Sequence, residues 1–290
     1  MTIQVVEWIQ SFQNGFLDLF FNFISFLGEE YVYIVIISVL YFAIDKKLGE
    51  FSGLVLFFTG ILNATIKSLV SAERPFQKYP DRITNLRPET SGGYSFPSGH
   101  TQMFTAFGFG IAFYRKERWI FIVASVLSIL MAISRMYLGV HFLEDVAVSL
   151  VLGILTAYGF SLLFERFGSE DRTLFQLYVV VLLVFLPLLI ILNYEDLFKT
   201  YGLMAGLSAG MYIEKNFIGF TLDVVWWKKA VRVLGALVLM IALMVGLDLI
   251  FGSFAEEGTT LLNILDGIRY SLIAFIGLGI YPFLFQKFHF

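Results

Sequence analysis

Three short clusters carry side chains that can handle a phosphoryl group: Lys67 with Arg74-Pro75, the run Pro97-Ser98-Gly99-His100-Thr101, and Ser134-Arg135 followed by His141-x-x-x-Asp145. A histidine and an aspartate four residues apart share a helix face. Asp145 can then hold one imidazole nitrogen of His141, fix its tautomer and stabilise the cation formed on attack. Arg135 offers a planar fork for phosphate oxygens. Proline near a first turn suits a helix start, so Pro97-Ser98 predicts one, where unpartnered amides and the positive dipole end favour an anion. Gly99 lets that anion approach the backbone, and His100 stands ready to donate a proton. Lys67 and Arg74 are two turns apart and share one side if their helix continues; Pro75 cannot extend it.

Each cluster alone has an ordinary reading: a snorkelling lysine with an interfacial arginine, a helix start with a surface histidine, an interfacial ion pair. Together they read differently. They hold two of the three histidines in the chain, and the span count below brings all three to one membrane face. Basic residues gathered near hydrocarbon are costly unless an anion neutralises them. With Asp145 committed to His141, a bound phosphoryl group supplies the missing charge.

The elements that position these residues must sit in lipid. Of 290 residues, 58% are hydrophobic and only 15% charged, against about a quarter charged in a soluble domain. Such a chain cannot cover its apolar surface with polar groups. The absence of Cys removes thiolate nucleophiles and Cys-ligated metals, and no basic tract suggests nucleic acid. The N-terminus shows no basic n-region, so no cleaved signal peptide is read. Apolar periodicity predicts helices near 16–27 (short), 31–45, 51–72, 98–114, 118–137, 142–165, 173–193, 200–214, 230–252 and 262–286. Residues 1–15 are expected to form an interfacial amphipathic helix, with Val5, Val6, Ile9 and Phe12 along one side. Lys46, Lys47, Arg115, Lys116, Arg118, Arg166, Arg172, Lys215, Lys228, Lys229, Arg232 and Lys287 fall on alternate connections. The positive-inside rule makes that face cytoplasmic and the clusters extracytoplasmic. The connection 73–97 is basic although it lies on the outer side, and long loops of this kind are usually functional.

The ordered pattern K-x6-R-P, P-S-G-H, S-R-x5-H-x3-D, carried by Lys67, Arg74, Pro75, Pro97, Ser98, Gly99, His100, Ser134, Arg135, His141 and Asp145, resembles the three-part signature of the type-2 phosphatidic acid phosphatase superfamily. That family also includes glucose-6-phosphatase and vanadium haloperoxidases. The resemblance implies an all-α fold: a polytopic membrane bundle with a six-helix phosphatase core over 16–168, beyond which 169–290 add about four transmembrane helices of unassigned role. It implies His141 as nucleophile forming a phosphohistidine, Asp145 as its orienter, and His100 as the acid that protonates the leaving oxygen. Lys67, Arg74, Ser98, Gly99 and Arg135 would bind phosphate, with no cofactor and no metal. Glu29-Glu30 and Glu256-Glu257 read as solvated loop ends.

The expected activity is hydrolysis of a lipid phosphomonoester or diphosphate (phosphatidate, phosphatidylglycerol phosphate or a polyprenyl diphosphate) in the cytoplasmic membrane. Extra arginines in the loop 73–97 favour a diphosphate. Membrane lipid is the expected partner, nucleic acid is not, and a homo-oligomer is left open. A phosphotransferase using the same intermediate, and a transporter or scramblase with a vestigial core, are the alternatives. In the C-terminal part, Gly202, Gly206 and Gly210, with Ala205 and Ala209 beside them, predict close helix packing. Asp266 and Arg269 are spaced to pair, and Asp248 has no local partner.

Overall fold

The structure, a computed structural model, describes residues 2–167, 171–256 and 258–288. The expected boundary at 168/169 and the expected loop residue Glu257 lie outside the described residues. The described residues are helical, with no strand among them. The helices are α1 (Thr2–Gln10), α2 (Gly15–Phe26), α3 (Glu30–Val39), α4 (Lys46–Val70), α5 (Pro75–Lys78), α6 (Gly99–Arg115), α7 (Arg118–Tyr137), α8 (Leu143–Phe167), α9 (Asp171–Leu192), α10 (Glu195–Ile213), α11 (Trp226–Phe251), α12 (Thr260–Ala274) and α13 (Phe283–Lys287). π-helical turns follow α3 (Leu40–Ile44), α10 (Glu214–Ile218) and α12 (Phe275–Ile280).

By length and composition six helical segments can cross a membrane, and the pair Gly15–Phe26 with Glu30–Ile44 qualifies as a seventh, bent by 54°. The helices read near 16–27 and 31–45 pass this test only together, as that bent pair, a broken span or a re-entrant loop. Helix α6 has 17 residues and falls below the length of the others. Buried positions on it include Thr101, Gln102 and Thr105, so protein rather than lipid meets its polar side. Three helices start four or five residues ahead of their expected bounds, α11 among them at Trp226. Helix α4 starts at Lys46 and stops at Val70, and α10 starts at Glu195.

The chain forms two compact units that interleave along the sequence: Met1–Tyr33 with Leu62–Ser161, and Ile34–Ile61 with Leu162–Phe290. In the first unit α6 packs on α7, where a Cβ built on Gly108 would touch Ala124 at 3.4 Å. Helix α1 turns its apolar side inward. Val6 packs with Ile83 and Phe142, and Val5 and Ile9 cover Ala132, Met136 and Val146. Trp8 and Phe12 stay exposed on α1's outer side. Phe12 thus leaves the face that the sequence assigned it to.

In the second unit α10 lies against α12 at backbone distance. A Cβ on Gly202 would stand 2.1 Å from the carbonyl oxygen of Gly267, and one on Gly206 2.1 Å from that of Ser271. Gly210 meets Gly279 in the same way, and the expected small-residue face is this seam, although Ala209 is exposed. Buried carboxylates here pair with basic side chains. Lys46 binds Glu214 at 2.5 Å, Lys215 binds Glu50 at 2.8 Å, and Arg269 binds Asp266 at 3.0 Å. Asp248 does have a partner: Arg269, one helix on in the chain, which no local spacing could reveal. Gly206→Leu is expected to destabilise by about 3 kcal/mol through overpacking at the seam, read as a lower thermal midpoint in detergent. Gly246→Leu, at a glycine with open space around it, should leave the midpoint unchanged.

Candidate active site

All three clusters belong to the first unit. Helix α4 ends at Val70, and Ser71 takes a left-handed φ of 50°. Ser71 donates its hydroxyl back to Ser68 O at 2.9 Å. The helix therefore does not carry Arg74 on the face of Lys67, as the two-turn spacing predicted. Arg74 instead sits in extended backbone ahead of Pro75, at the start of the four-residue α5. From there it reaches inward. Its guanidinium donates to Gly93 O and Val140 O, both at 3.1 Å, to Gly92 O at 2.6 Å and to His141 Nε2 at 3.2 Å.

That last bond decides a tautomer. A guanidinium only donates, so Nε2 of His141 must present its lone pair and the proton resides on Nδ1. Nδ1 faces Asp145 Oδ2 at 3.4 Å and Ser95 Oγ at 3.5 Å. The same Oδ2 accepts from Ser95 Oγ at 2.6 Å and from the Phe142 amide at 2.8 Å. Asp145 is thus held from two sides while it holds His141. Ser95 was not singled out in the sequence; its place three residues before Ser98 is the one signal available.

Helix α6 starts at Gly99 with Ser98 as N-cap. Ser98 is fully buried and its hydroxyl lies 3.0 Å from that of Thr101. Asn63 donates to Pro97 O at 3.3 Å and to Gln102 Oε1 at 2.8 Å, which fixes the start of α6 against α4. A Cβ on Gly99 would lie 3.3 Å from Asn63 Oδ1, so glycine suits this close approach. His100 has a buried Nε2 without a hydrogen-bond partner. Arg135 is fully buried at the end of α7; it donates to Ser25 Oγ and, at 3.5 Å, to Thr90 O. Lys67 is buried as well.

These groups converge on His141. Burial and the cations of Arg74, Arg135 and Lys67 push its pKa well below the ordinary histidine value, so the imidazole is neutral at pH 7. The turn that presents it needs Gly139, at φ 76°, where a Cβ would stand 2.3 Å from Thr84 O. Gln10 ties this corner together, donating to Thr84 O at 2.8 Å and Tyr137 O at 3.0 Å.

The basic loop is arranged otherwise than the sequence led us to expect. Arg82 is bound by Glu7 at 2.5 Å, and Arg87 by Glu29 and, at 2.9 Å, by Asn22. Neither arginine is held ready for an extra phosphate, and Glu29 is an ion-pair partner rather than a solvated loop end.

A model of the PAP2 superfamily matches residues 51–169, and one described as PAP2 superfamily phosphatase, transmembrane extension, matches 198–290. The Bacitracin transport permease protein BcrC of Bacillus licheniformis is 32% identical over 157 residues, covering 47% of this chain and 75% of that protein. The chain belongs to the PAP2 superfamily. Lipid phosphate phosphatase delta of Arabidopsis thaliana is 30% identical over 53% of this chain. Phosphatidylglycerophosphatase B of Bacillus subtilis is 32% identical over 38% of it. The chain spans 40% of the Arabidopsis protein's length and 56% of the Bacillus subtilis one's. All three clusters fall inside the span of the PAP2 match; α1, α2 and α3 precede it.

Two expectations follow for this PAP2 site. Gly139→Ala should cost about 1–3 kcal/mol, because alanine must adopt a left-handed φ against a carbonyl; thermal unfolding checks it. A depressed His141 pKa means the folded protein refuses a proton that the unfolded chain accepts, so stability falls as pH drops below about 6.5. Chemical denaturation of the wild type and His141→Gln across that window should show the wild type losing more on acidification.

Proposed function

We propose that the chain is an integral-membrane lipid phosphatase working through a phosphohistidine at His141. The observation that carries this reading is the tautomer: Nε2 presents a lone pair at Arg74 while Nδ1 faces Asp145. An uncharged imidazole so oriented is a competent nucleophile. In the first step Nε2 forms a bond to phosphorus as the phosphorus–oxygen bond to the lipid breaks. The electron pair leaves on that oxygen, and His100, which takes up a proton once the bound phosphate offsets the neighbouring cations, gives it that proton. In the second step water attacks phosphorus, the nitrogen–phosphorus bond breaks, and His100 takes the proton of the water. Asp145 stabilises the imidazolium character that develops at each transition state. Lys67, Arg74, Arg135, Ser98 and the Gly99 amide surround the equatorial oxygens, where the transition-state charge lies. These cations supply the electrostatic stabilisation, so the reaction needs no divalent metal.

The names of the relatives, a lipid phosphate phosphatase and a phosphatidylglycerophosphatase, support a phosphorylated lipid as substrate. The pairing of Arg82 and Arg87 with carboxylates removes the support that the loop gave to a diphosphate and favours a single phosphoryl group. The basic connections support a site that faces the extracytoplasmic side.

His141→Ala, folded in detergent, should lose activity toward phosphatidate or phosphatidylglycerol phosphate by about a thousand-fold or more. Wild-type activity should survive excess chelator. Retained activity in the variant would remove the nucleophile from this reading, and loss with chelator would remove its electrostatics.

A further inference from the structure

The bent pair α2 and α3 lies ahead of the PAP2 match, yet its break lies beside the site. Between α2 and α3 the chain bends at Leu27-Gly28-Glu29. Gly28 is buried there. A Cβ built on it would stand 3.1 Å from His100 Cδ2, 3.4 Å from His100 Cβ and 2.9 Å from Met131 Cε. Ser25, one turn earlier, is fully buried and accepts from Arg135. Glu29, one residue later, binds Arg87, which also donates to Asn22. The break is thus pinned from both sides and bears on two of the groups that surround His141.

His100 has a particular need of such a wall. Its buried Nε2 has no hydrogen-bond partner, so no polar contact at that nitrogen orients the ring. Packing must do so, and the direction a side chain at residue 28 would take leads to Cδ2, the carbon bonded to Nε2. A methyl group at residue 28 would press on both neighbours. Met131 Cε ends a flexible side chain and can swing. His100 Cβ is tethered to the first turn of α6, so the imidazole has to tilt.

We infer that Gly28, at the break between α2 and α3, is a positioning residue that seats the His100 imidazole against the leaving group. This rests on the reading of His100 as the acid. An acid matters in proportion to the basicity of the leaving oxygen, which supplies a readout that a merely structural role would not move. The experiment measures kcat/KM, which covers the steps through expulsion of the leaving group, for short-chain phosphatidate and for p-nitrophenyl phosphate. The proteins are the wild type, Gly28→Ala and His100→Ala. Gly15→Ala, at a glycine with nothing within 4 Å, controls for a methyl group in the same segment.

His100→Ala should lose about 10²–10⁴-fold on the alkyl phosphate and far less on the nitrophenyl ester. Gly28→Ala should show the same asymmetry in weaker form, about 10- to 100-fold on the alkyl phosphate and under about threefold on the nitrophenyl ester. An equal loss on both substrates, or no loss, with His100→Ala behaving as expected, overturns the positioning role alone. A symmetric loss in His100→Ala overturns the acid assignment and this inference with it. Should Gly28→Ala not fold, Gly28→Ala with Met131→Ala relieves the methionine contact, keeps the contact on His100, and is held to the same asymmetry.

Discussion

A charged group withdrawn from water must be met by opposite charge or by well-aimed dipoles, and the two units of this chain meet that constraint differently. In the second unit buried carboxylates are met by half-buried lysines, Glu214 by Lys46 and Glu50 by Lys215. In the first unit Lys67, Arg74 and Arg135 are gathered round an imidazole that burial, and then their field, keeps neutral. Backbone carbonyls and a serine hydroxyl orient the two guanidiniums. The one carboxylate beside His141, that of Asp145, accepts from Ser95 and Phe142 on the far side of the ring from Nε2. On the proposed reading the lone pair of His141, which here accepts from Arg74, passes to a visiting tetrahedral anion.

Much of this was legible in the sequence, because residue types and short spacings encode it. The helix start at Ser98-Gly99 and the small-residue face of α10 each follow from one element's geometry, whereas His141 precedes α8, which starts at Leu143, so it meets Asp145 across the helix start and not along a shared helix face. What escaped depends on contacts across long stretches of chain. Ser25 and Gly28 lie more than seventy residues before the groups that they touch, in a segment that read as two short helices. Ser95 sits in a loop whose course is set by its amide bonding to Ala72 O at 2.8 Å. The basic loop misled because charge counts do not show partners: Glu7 and Glu29 take up Arg82 and Arg87. The spacing of Lys67 and Arg74 misled because one left-handed residue, Ser71, ends the helix between them.

The match to the PAP2 superfamily begins within α4, but the machinery of the site begins earlier. Helix α1 braces the corner at Gly139 through Gln10, and the break after α2 meets Arg135 and His100.

The central claim is that the phosphoryl group passes through Nε2 of His141. Its most direct test is to mix the detergent-solubilised enzyme with phosphate-labelled lipid, quench with alkali within a single turnover, and locate the label by peptide mass spectrometry and phosphorus NMR. The expected result is a phosphoramidate on the peptide carrying His141, bonded through Nε2 and absent from His141→Ala. Label on a serine, an aspartate or another histidine during productive turnover, or a burst of free phosphate with no labelled protein, would contradict it.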